Sequence, residues 1–421
     1  MLCASMLKSC AASGMRAWFI VHRRELVKQS IAAFDRVGVH AGVIAAGFQE
    51  DYRAPVQIAS IGTLQRRWER YAPPSMIVWD ESHHLAATNW MSLKSQFASS
   101  YHIGLTATPM RLDGRGLGNY FSTMVKGPSV RWLIDNKYLA PYKLYAPAGI
   151  DVTGVHSRMG DFSRDELAAA ADRPSITGCA VEHYKKLCPT ARACVFACSI
   201  EHSRHIVAQF EAAGIPSAHV DGETDPQMRD MILQRFSEGS IRVVSNVELF
   251  GEGFDLPSMD AVILMRPTQS LGLYLQQVGR CLRYSEGKTA YILDHAGNCA
   301  RHGMPCEERE WELTTDKIKR SQSASELGSV KICPKCFAAQ FSGSRTCKLC
   351  GGVFPVEARK VDEKKGDLVE VKAAQRAVRV AQGRCQTMEE LVAEGRRRGM
   401  KNAHGWAYNV MQARKNKRSG K

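Results

Sequence analysis

Met76-Ile77-Val78-Trp79-Asp80-Glu81-Ser82-His83-His84 is an apolar run of strand length that ends in two adjacent acids and two histidines. Such a run carries both carboxylates to the edge of a sheet. In phosphate-transfer sites an acid at this position holds Mg²⁺ through water, and its neighbour orients and deprotonates the attacking water. Alone, a strand followed by Asp-Glu is explained as well by capping or chance.

Outward from this stretch, short β-branched runs alternate with amphipathic ones as far as about residue 310. The pattern predicts strands at 17–21, 103–105, 194–197, 242–245, 261–265 and 291–293 besides 76–79, and helices from Arg24 onward and over 202–213 and 227–236. This alternation predicts an α/β fold with parallel sheets, doubly wound, with ligand groups at the carboxyl ends of strands. The rhythm loosens between Asn136 and about Asp172, where the boundary between two α/β lobes is expected. No repeat of fixed short period is visible.

With 421 residues, 44% hydrophobic and 24% charged, the chain has ordinary globular composition and room for two or three domains. Disordered and collagen-like classes are excluded. No apolar run approaches the ~20 residues of a membrane span, so a soluble protein is expected. The net charge of +15 is unevenly spread: 24 Lys/Arg against 10 Asp/Glu follow residue 314, while the body before it is near neutral. A neutral body with a basic tail suits a polyanion-binding appendage, or more plainly a solvated basic surface.

Two further segments share the register of the first. His102-Ile103-Gly104-Leu105-Thr106-Ala107-Thr108-Pro109 reads as a strand ending in hydroxyls. In Gln276-Gln277-Val278-Gly279-Arg280-Cys281-Leu282-Arg283, arginines three apart on a helix share a face and can reach one triphosphate.

Taken in order, these segments resemble the superfamily-two DExH-box helicases and translocases over residues 1–310. Phe19–Leu26 looks like their motif Ia, Ser60–Arg67 like Ib, Asp80–His83 like II, Thr106–Thr108 like III, Val195–Ser199 like IV, Gly251–Pro257 like V and Gln276–Arg283 like VI. The resemblance implies two RecA-like lobes, 1–140 and 141–310, with ATP in the cleft and a nucleic-acid strand across the top. It further implies Asp80 for Mg²⁺, Glu81 as general base, His83 coupled to Gln276, and Arg280 with Arg283 as arginine fingers. Gly253 and Asp255 would contact the nucleotide, and His22, Arg23, Thr63, Leu64, Thr106, Thr108, Ser245 and Asn246 would serve the strand. Contacts of that kind grip phosphates without reading sequence.

Asp294-His295-Ala296-Gly297-Asn298, Arg301-His302-Gly303 and a four-cysteine cluster resemble, more narrowly, phage and prophage DEAD/DEAH-box helicases, relatives of type III restriction translocase subunits. This favours DNA over RNA and the host cytoplasm. No G-x-x-x-x-G-K-[ST] phosphate loop occurs in the 421 residues; Gly287-Lys288-Thr289 has its last letters but reads as a turn. Met1–Ser13 looks like the helix that follows such a loop. The first lobe is therefore expected to be incomplete, through a truncated gene, a separate upstream piece or degeneracy.

Cys333-Pro334-Lys335-Cys336 and Cys347-Lys348-Leu349-Cys350 form two C-x2-C pairs with ten residues between them. Each pair can clamp one side of a tetrahedral Zn²⁺, which predicts a structural zinc ribbon within 311–356, with iron–sulfur or disulfide use as alternatives. The other ten cysteines have no metal-type pairing and suit buried, reduced thiols. Over 357–421 a basic linker and helical tail are expected. There Asp362, Glu370 and Lys372 have nuclease-like spacing by chance, and Trp406 and Tyr408 either pack or stack on a strand. The expected activity is ATP-driven movement on DNA. The rivals are nucleic-acid binding without hydrolysis, and a motor subunit beside a nuclease or other replication or recombination proteins.

Overall fold

The computed structural model describes residues 2–86, 88–110, 115–146, 155–158, 161–163, 166–167, 171, 174–249, 259–315, 330–354, 381, 385–400 and 402–418. They belong to two compact units, Met1–Phe354 and Pro355–Lys421.

The first unit holds two parallel sheets. Strands β1 (Ala17–Val21), β2 (Ala41–Ile44), β3 (Val56–Ser60), β4 (Met76–Trp79) and β5 (Tyr101–Gly104) form the first, in the order β2-β3-β1-β4-β5. The second uses β6 (Tyr142–Tyr145). After the short hairpin β7 (Ser157–Arg158) and β8 (Asp161–Phe162), it adds β9 (Ala193–Phe196), β10 (Ser217–Val220), β11 (Val243–Asn246), β12 (Ala261–Leu264) and β13 (Ala290–Asp294), in the order β10-β11-β9-β12-β13-β6. Its central strands are buried along their whole length, as the short apolar runs require of strands covered on both faces.

The two sheets share one winding. In each, the chain leaves a central strand, crosses two places to one side, returns one place, and then crosses over to the other side of the centre. Residues β1–β4 and β9–β12 are thus a topological repeat with no counterpart in sequence period. The reversal creates a crevice beyond the carboxyl ends of β1 and β4, the place where doubly wound sheets bind ligands.

Helices cover both faces. Pro226–Glu238 shows why they start and stop where they do: the Asp225 carboxylate accepts from the amides of Gln227 and Met228, proline occupies the first turn, and Gly239 leaves in the left-handed region at φ +82°. On one face of the second sheet Phe210 is fully buried and meets Tyr184 edge-on, with ring centroids 5.6 Å apart. Phe210→Ala is expected to cost about 3–5 kcal/mol in urea unfolding; a loss below ~1 kcal/mol would mean that this core can collapse onto the gap.

Several strand limits move by one or two residues from the sequence expectation, and β2, β3, β6 and β10 had not been predicted. The helix containing Gln276 is shorter than expected. It spans Leu271–Gly279, because Cys281 and Leu282 turn inward and are buried. Arg280 and Arg283 therefore lie on a turn rather than on a shared helix face, with Arg283 bridged to Leu139. Gly287-Lys288-Thr289 does turn, with Gly287 at φ +72°.

After residue 329 the hairpin β14 (Val330–Ile332) and β15 (Ala339–Phe341) carries the cysteine pairs. It packs on the second lobe: Tyr145 bridges Ala338, the Ala146 amide donates to the Phe337 carbonyl at 3.0 Å, and Cys333, Cys347 and Phe354 share an apolar cluster with Tyr184 and Phe210.

In the second unit, helices Met388–Arg397 and Ala403–Arg418 pack through Leu391, Val392, Ala403 and Ala407. A reciprocal Thr387–Glu390 capping box starts the first. Trp406 packs in this interface with the Arg398 guanidinium above it, whereas Tyr408 is exposed. Asp362, Glu370 and Lys372 lie outside the described residues. Among the described residues no helix is long and apolar enough to cross a membrane.

Candidate functional site

The strand ends of the first sheet assemble the acidic stretch. β4 delivers Asp80 beside β1, and the Asp80 amide donates to the Ile20 carbonyl at 3.0 Å. Glu81 then adopts φ +48°, a left-handed conformation that costs a non-glycine residue on the order of 1–3 kcal/mol. The turn it makes brings the Ser82 amide to the Leu105 carbonyl at 2.8 Å, which ties the acids to the hydroxyl-bearing turn after β5.

That turn fixes Nδ1 of His83 as a donor. The Thr106 hydroxyl donates to the Thr108 carbonyl at 2.9 Å and accepts from the Thr108 amide at 3.1 Å. With its hydrogen spent, Thr106 Oγ1 can only accept from His83 Nδ1, 3.3 Å away. Glu81 Oε2 lies 3.4 Å from the same nitrogen. His83 is therefore held as an Nδ1–H donor to Thr106, with Glu81 Oε2 within ion-pair distance of the same nitrogen but not hydrogen-bonded to it. The rings of His22, His84 and His83 lie in series, tilted to one another, with centroids 5.0 and 4.4 Å apart. His22 is thereby joined to the acidic end of β4.

The lobes meet at two of the expected residues. Arg23 Nη1 donates to the Leu249 carbonyl of the second lobe at 3.3 Å. Thr108 is buried against Gly272, where an added Cβ would stand 3.1 Å from Thr108 Oγ1. Gly272 opens the helix that presents Gln276 and leads to Arg280, so the turn after β5 touches the element carrying the basic segment.

Three expected strand contacts are corrected by burial. Leu64 is wholly in the first lobe's core, leaving the Thr63 hydroxyl, which accepts from the Ala46 amide at 3.2 Å. Ser245 and Asn246 are fully buried in β11. Ser245 bonds the Ser203 hydroxyl at 2.7 Å, and the Asn246 amide donates to the Val195 carbonyl at 2.8 Å. Ser203 continues to His219 and then Asp221. Burial opposes ionisation of Asp221, yet hydrogen bonds from Thr224 and His219 hold its carboxyl below the ordinary carboxylate value. This network is internal and cannot face a strand. Gly253 and Asp255 lie outside the described residues.

The four cysteine sulfurs lie within 4.8 Å of one another, with Cys333–Cys350 and Cys336–Cys347 each at 3.6 Å. Four sulfurs around Zn²⁺ at ~2.3 Å stand ~3.8 Å apart, so the donor set fits a tetrahedral ion. Among the described residues it is the one His/Cys/Asp/Glu group that could hold a metal.

One half-buried and one buried imidazole make the fold acid-sensitive. His102 accepts from Trp79 Nε1 at 3.0 Å and donates from Nε2 to the Phe97 carbonyl, so the neutral tautomer is built in, and burial lowers its pKa. His295 is 3% exposed, and burial with His183 beside it pushes its pKa down to about 3. The unfolded chain binds these protons first. Stability is therefore complete above pH 6.5 and falls as pH drops toward 3, by about 2 kcal/mol for His295 at pH 5. Urea unfolding from pH 7 to 5 should show this slope, reduced in His295→Gln; an unchanged slope would overturn it.

No motif pointed to Arg23 as a lobe-to-lobe contact or to the row of histidines. The adjacent His83-His84 pair was the only signal for the latter, and it needs His22 from another strand to be meaningful.

Residues 1–111 match the family described as type III restriction enzyme, res subunit, and residues 180–285 match the helicase conserved C-terminal domain. A 51.5 kDa protein of a Lactococcus phage is 33% identical over 85% of this chain and 76% of its own length. The DNA 3'-5' translocase XPB2 of Sulfurisphaera tokodaii is 25% identical over 60% of this chain and 65% of its own. The solved structure of the ATP-dependent type ISP restriction-modification enzyme LlaBIII bound to DNA is similar in fold, with a TM-score of 0.53 and 18% identity over 69% of this chain. This chain spans only 25% of that enzyme.

Proposed function

Because this chain belongs to the superfamily-two helicases of phage type, we propose that it couples ATP hydrolysis to movement on DNA, without reading sequence. The observation that carries the reading is the linked pair of strand ends, with Glu81 and Thr106 converging on His83 at a crevice that the second lobe closes. In this reading residues 1–140 and 141–310 are the two motor lobes, 311–356 the zinc ribbon region and 357–421 the basic tail. DNA is favoured as the track because relatives named for DNA translocation and DNA restriction share the fold; a nuclease or recombination protein is a candidate partner.

Mg²⁺-ATP, when bound, supplies the phosphoanhydride whose cleavage drives movement. Asp80 would hold the metal ion, and Glu81 takes the proton of the attacking water. His83, an Nδ1 donor to Thr106 beside Glu81, would couple to Gln276 of the second lobe. Arg280 and Arg283, with Gly253 and Asp255, would bring the second lobe's contribution to the triphosphate. His22, Arg23, Thr63, Thr106 and Thr108 are the residues left to serve the strand or couple it to the acids. Zn²⁺ held by Cys333, Cys336, Cys347 and Cys350 would be structural, since four thiolates leave no open position.

A second reading is nucleic-acid binding by the same surfaces without hydrolysis. ATP turnover with and without single-stranded DNA, beside Glu81→Gln, separates the two. DNA-stimulated turnover lost in Glu81→Gln supports the motor; DNA binding with no turnover supports the second reading.

A further inference from the structure

After the last helix of the second lobe, the chain does not run directly to the cysteine hairpin. Arg309 first anchors it to that lobe: its guanidinium donates to the carbonyls of His302 and Met304, both at 3.0 Å, and of Glu307 at 2.9 Å. Five residues later the Thr314 carbonyl accepts from the Gly118 amide of the first lobe at 3.0 Å. The hairpin then packs back on the second lobe. Five residues reach at most about 17 Å, so this crossing limits how far the lobes can part along this edge.

The receiving surface accommodates only glycine. A Cβ on Gly116 would stand 2.3 Å from the Thr314 carbonyl oxygen, and one on Gly118 would stand 2.9 Å from the Thr314 carbonyl carbon. Neither glycine has a left-handed backbone. Close approach of the crossing chain, rather than conformational freedom, is thus what excludes a side chain here.

The same loop belongs to the site. Gly116 bridges Met110, two residues beyond Thr108, and Phe121 lies over Gly104, where an added Cβ would stand 2.4 Å from its ring and 2.8 Å from Ser82 Oγ. Thr108 in turn touches Gly272 at the head of the Gln276 helix. We infer that Glu310–Thr314 is an inter-lobe strap, and that Gly116 and Gly118 are positioning residues seating it so that the Thr106–Thr108 turn stays in register with the second lobe. The catalytic consequence rests on the motor reading above; the strap itself does not.

The test uses the full chain with two variants. The Gly116→Ala/Gly118→Ala double variant forces the strap off. Eight Gly-Ser residues inserted between Glu310 and Trp311 slacken it without touching the first lobe, so a folding failure of the first variant leaves the second to decide. Circular dichroism checks folding. Backbone hydrogen exchange is expected to quicken about tenfold or more over both 105–110 and 311–315. DNA-stimulated kcat should fall about 10- to 100-fold, with KM for ATP nearly unchanged, as misplacement of a catalytic element does. Faster exchange confined to 311–315, or no change in either segment, would overturn the strap. Exchange judges the strap whether or not the wild-type chain turns over ATP, so failure of the strap and failure of the motor reading are distinguishable.

Discussion

Cys347→Ser, or removal of the metal by a chelator, is expected to lower the stability of the second lobe by on the order of 5 kcal/mol and to produce oligomers. The isolated zinc modules from which such figures come gain ~10–16 kcal/mol from the metal; a smaller loss is expected here because the lobe keeps its own sheet. The loss is still large, because the hairpin is not a pendant. Cys333 and Cys347 are buried with Phe354 in the cluster that contains Tyr184, Phe210 and Ile263. The hairpin also covers β6, the outermost strand of its sheet, through the Tyr145–Ala338 bridge and the Ala146 amide. Freeing that edge exposes unpaired backbone groups, a template for pairing with another chain. Metal analysis, urea unfolding and size-exclusion chromatography on the same samples make the check. A wild-type protein that carries no metal and loses nothing on Cys347→Ser would refute the zinc assignment.

Glu81→Gln is expected to reduce DNA-stimulated ATP turnover about 10²- to 10⁴-fold, the range that a positioned general base contributes. DNA affinity should be unchanged. The substitution keeps the size of the side chain beside His83, and proton acceptance is what is lost. His83→Ala should have a smaller effect, because it removes a neighbour of Glu81 and spares the base. Equal turnover in Glu81→Gln and wild type, or a loss matched by weaker DNA binding, would reject Glu81 as the base. The strained backbone at φ +48° gives a second readout. Glu81→Gly should relieve strain and stabilise the protein while abolishing turnover, as expected where conformational cost is retained for chemistry.

What could be read from sequence was set by short-range rules. The apolar run 76–79 ending in Asp80 and Glu81 had to be a buried strand with acids at its end, and its limits are those observed. The C-x2-C spacing brings two sulfurs to one side of an ion through local turns, and all four sulfurs do converge. The α/β class followed from the alternation of short apolar and amphipathic runs. Two of the four strands missed have a composition that is weak on its own: Ala41–Ile44 contains a glycine, and Ser217–Val220 is half polar. They are strands because neighbours supply the pairing.

Everything that depends on which segments lie side by side was decided by tertiary structure. Leu64, Ser245 and Asn246 carry motif identities that suggested strand contact, yet burial assigns them to the interior. Burial is a property of the neighbours, not of the residue. Arg280 and Arg283 lost their shared helix face because Cys281 and Leu282 gain more from the core than a further helical turn would give. The tautomer of His83 depends on a threonine 23 residues away whose own hydrogen is already spent. Gly116 and Gly118 have no local reason to be glycine, and only the passage of Thr314 supplies one. Sequence alone determined the winding class, the acidic strand end and the cysteine knuckle, because those rest on local periodicity and spacing. The assembled crevice, the buried exceptions and the strap required the fold, because they arise from contacts between residues up to 226 positions apart that no local pattern encodes.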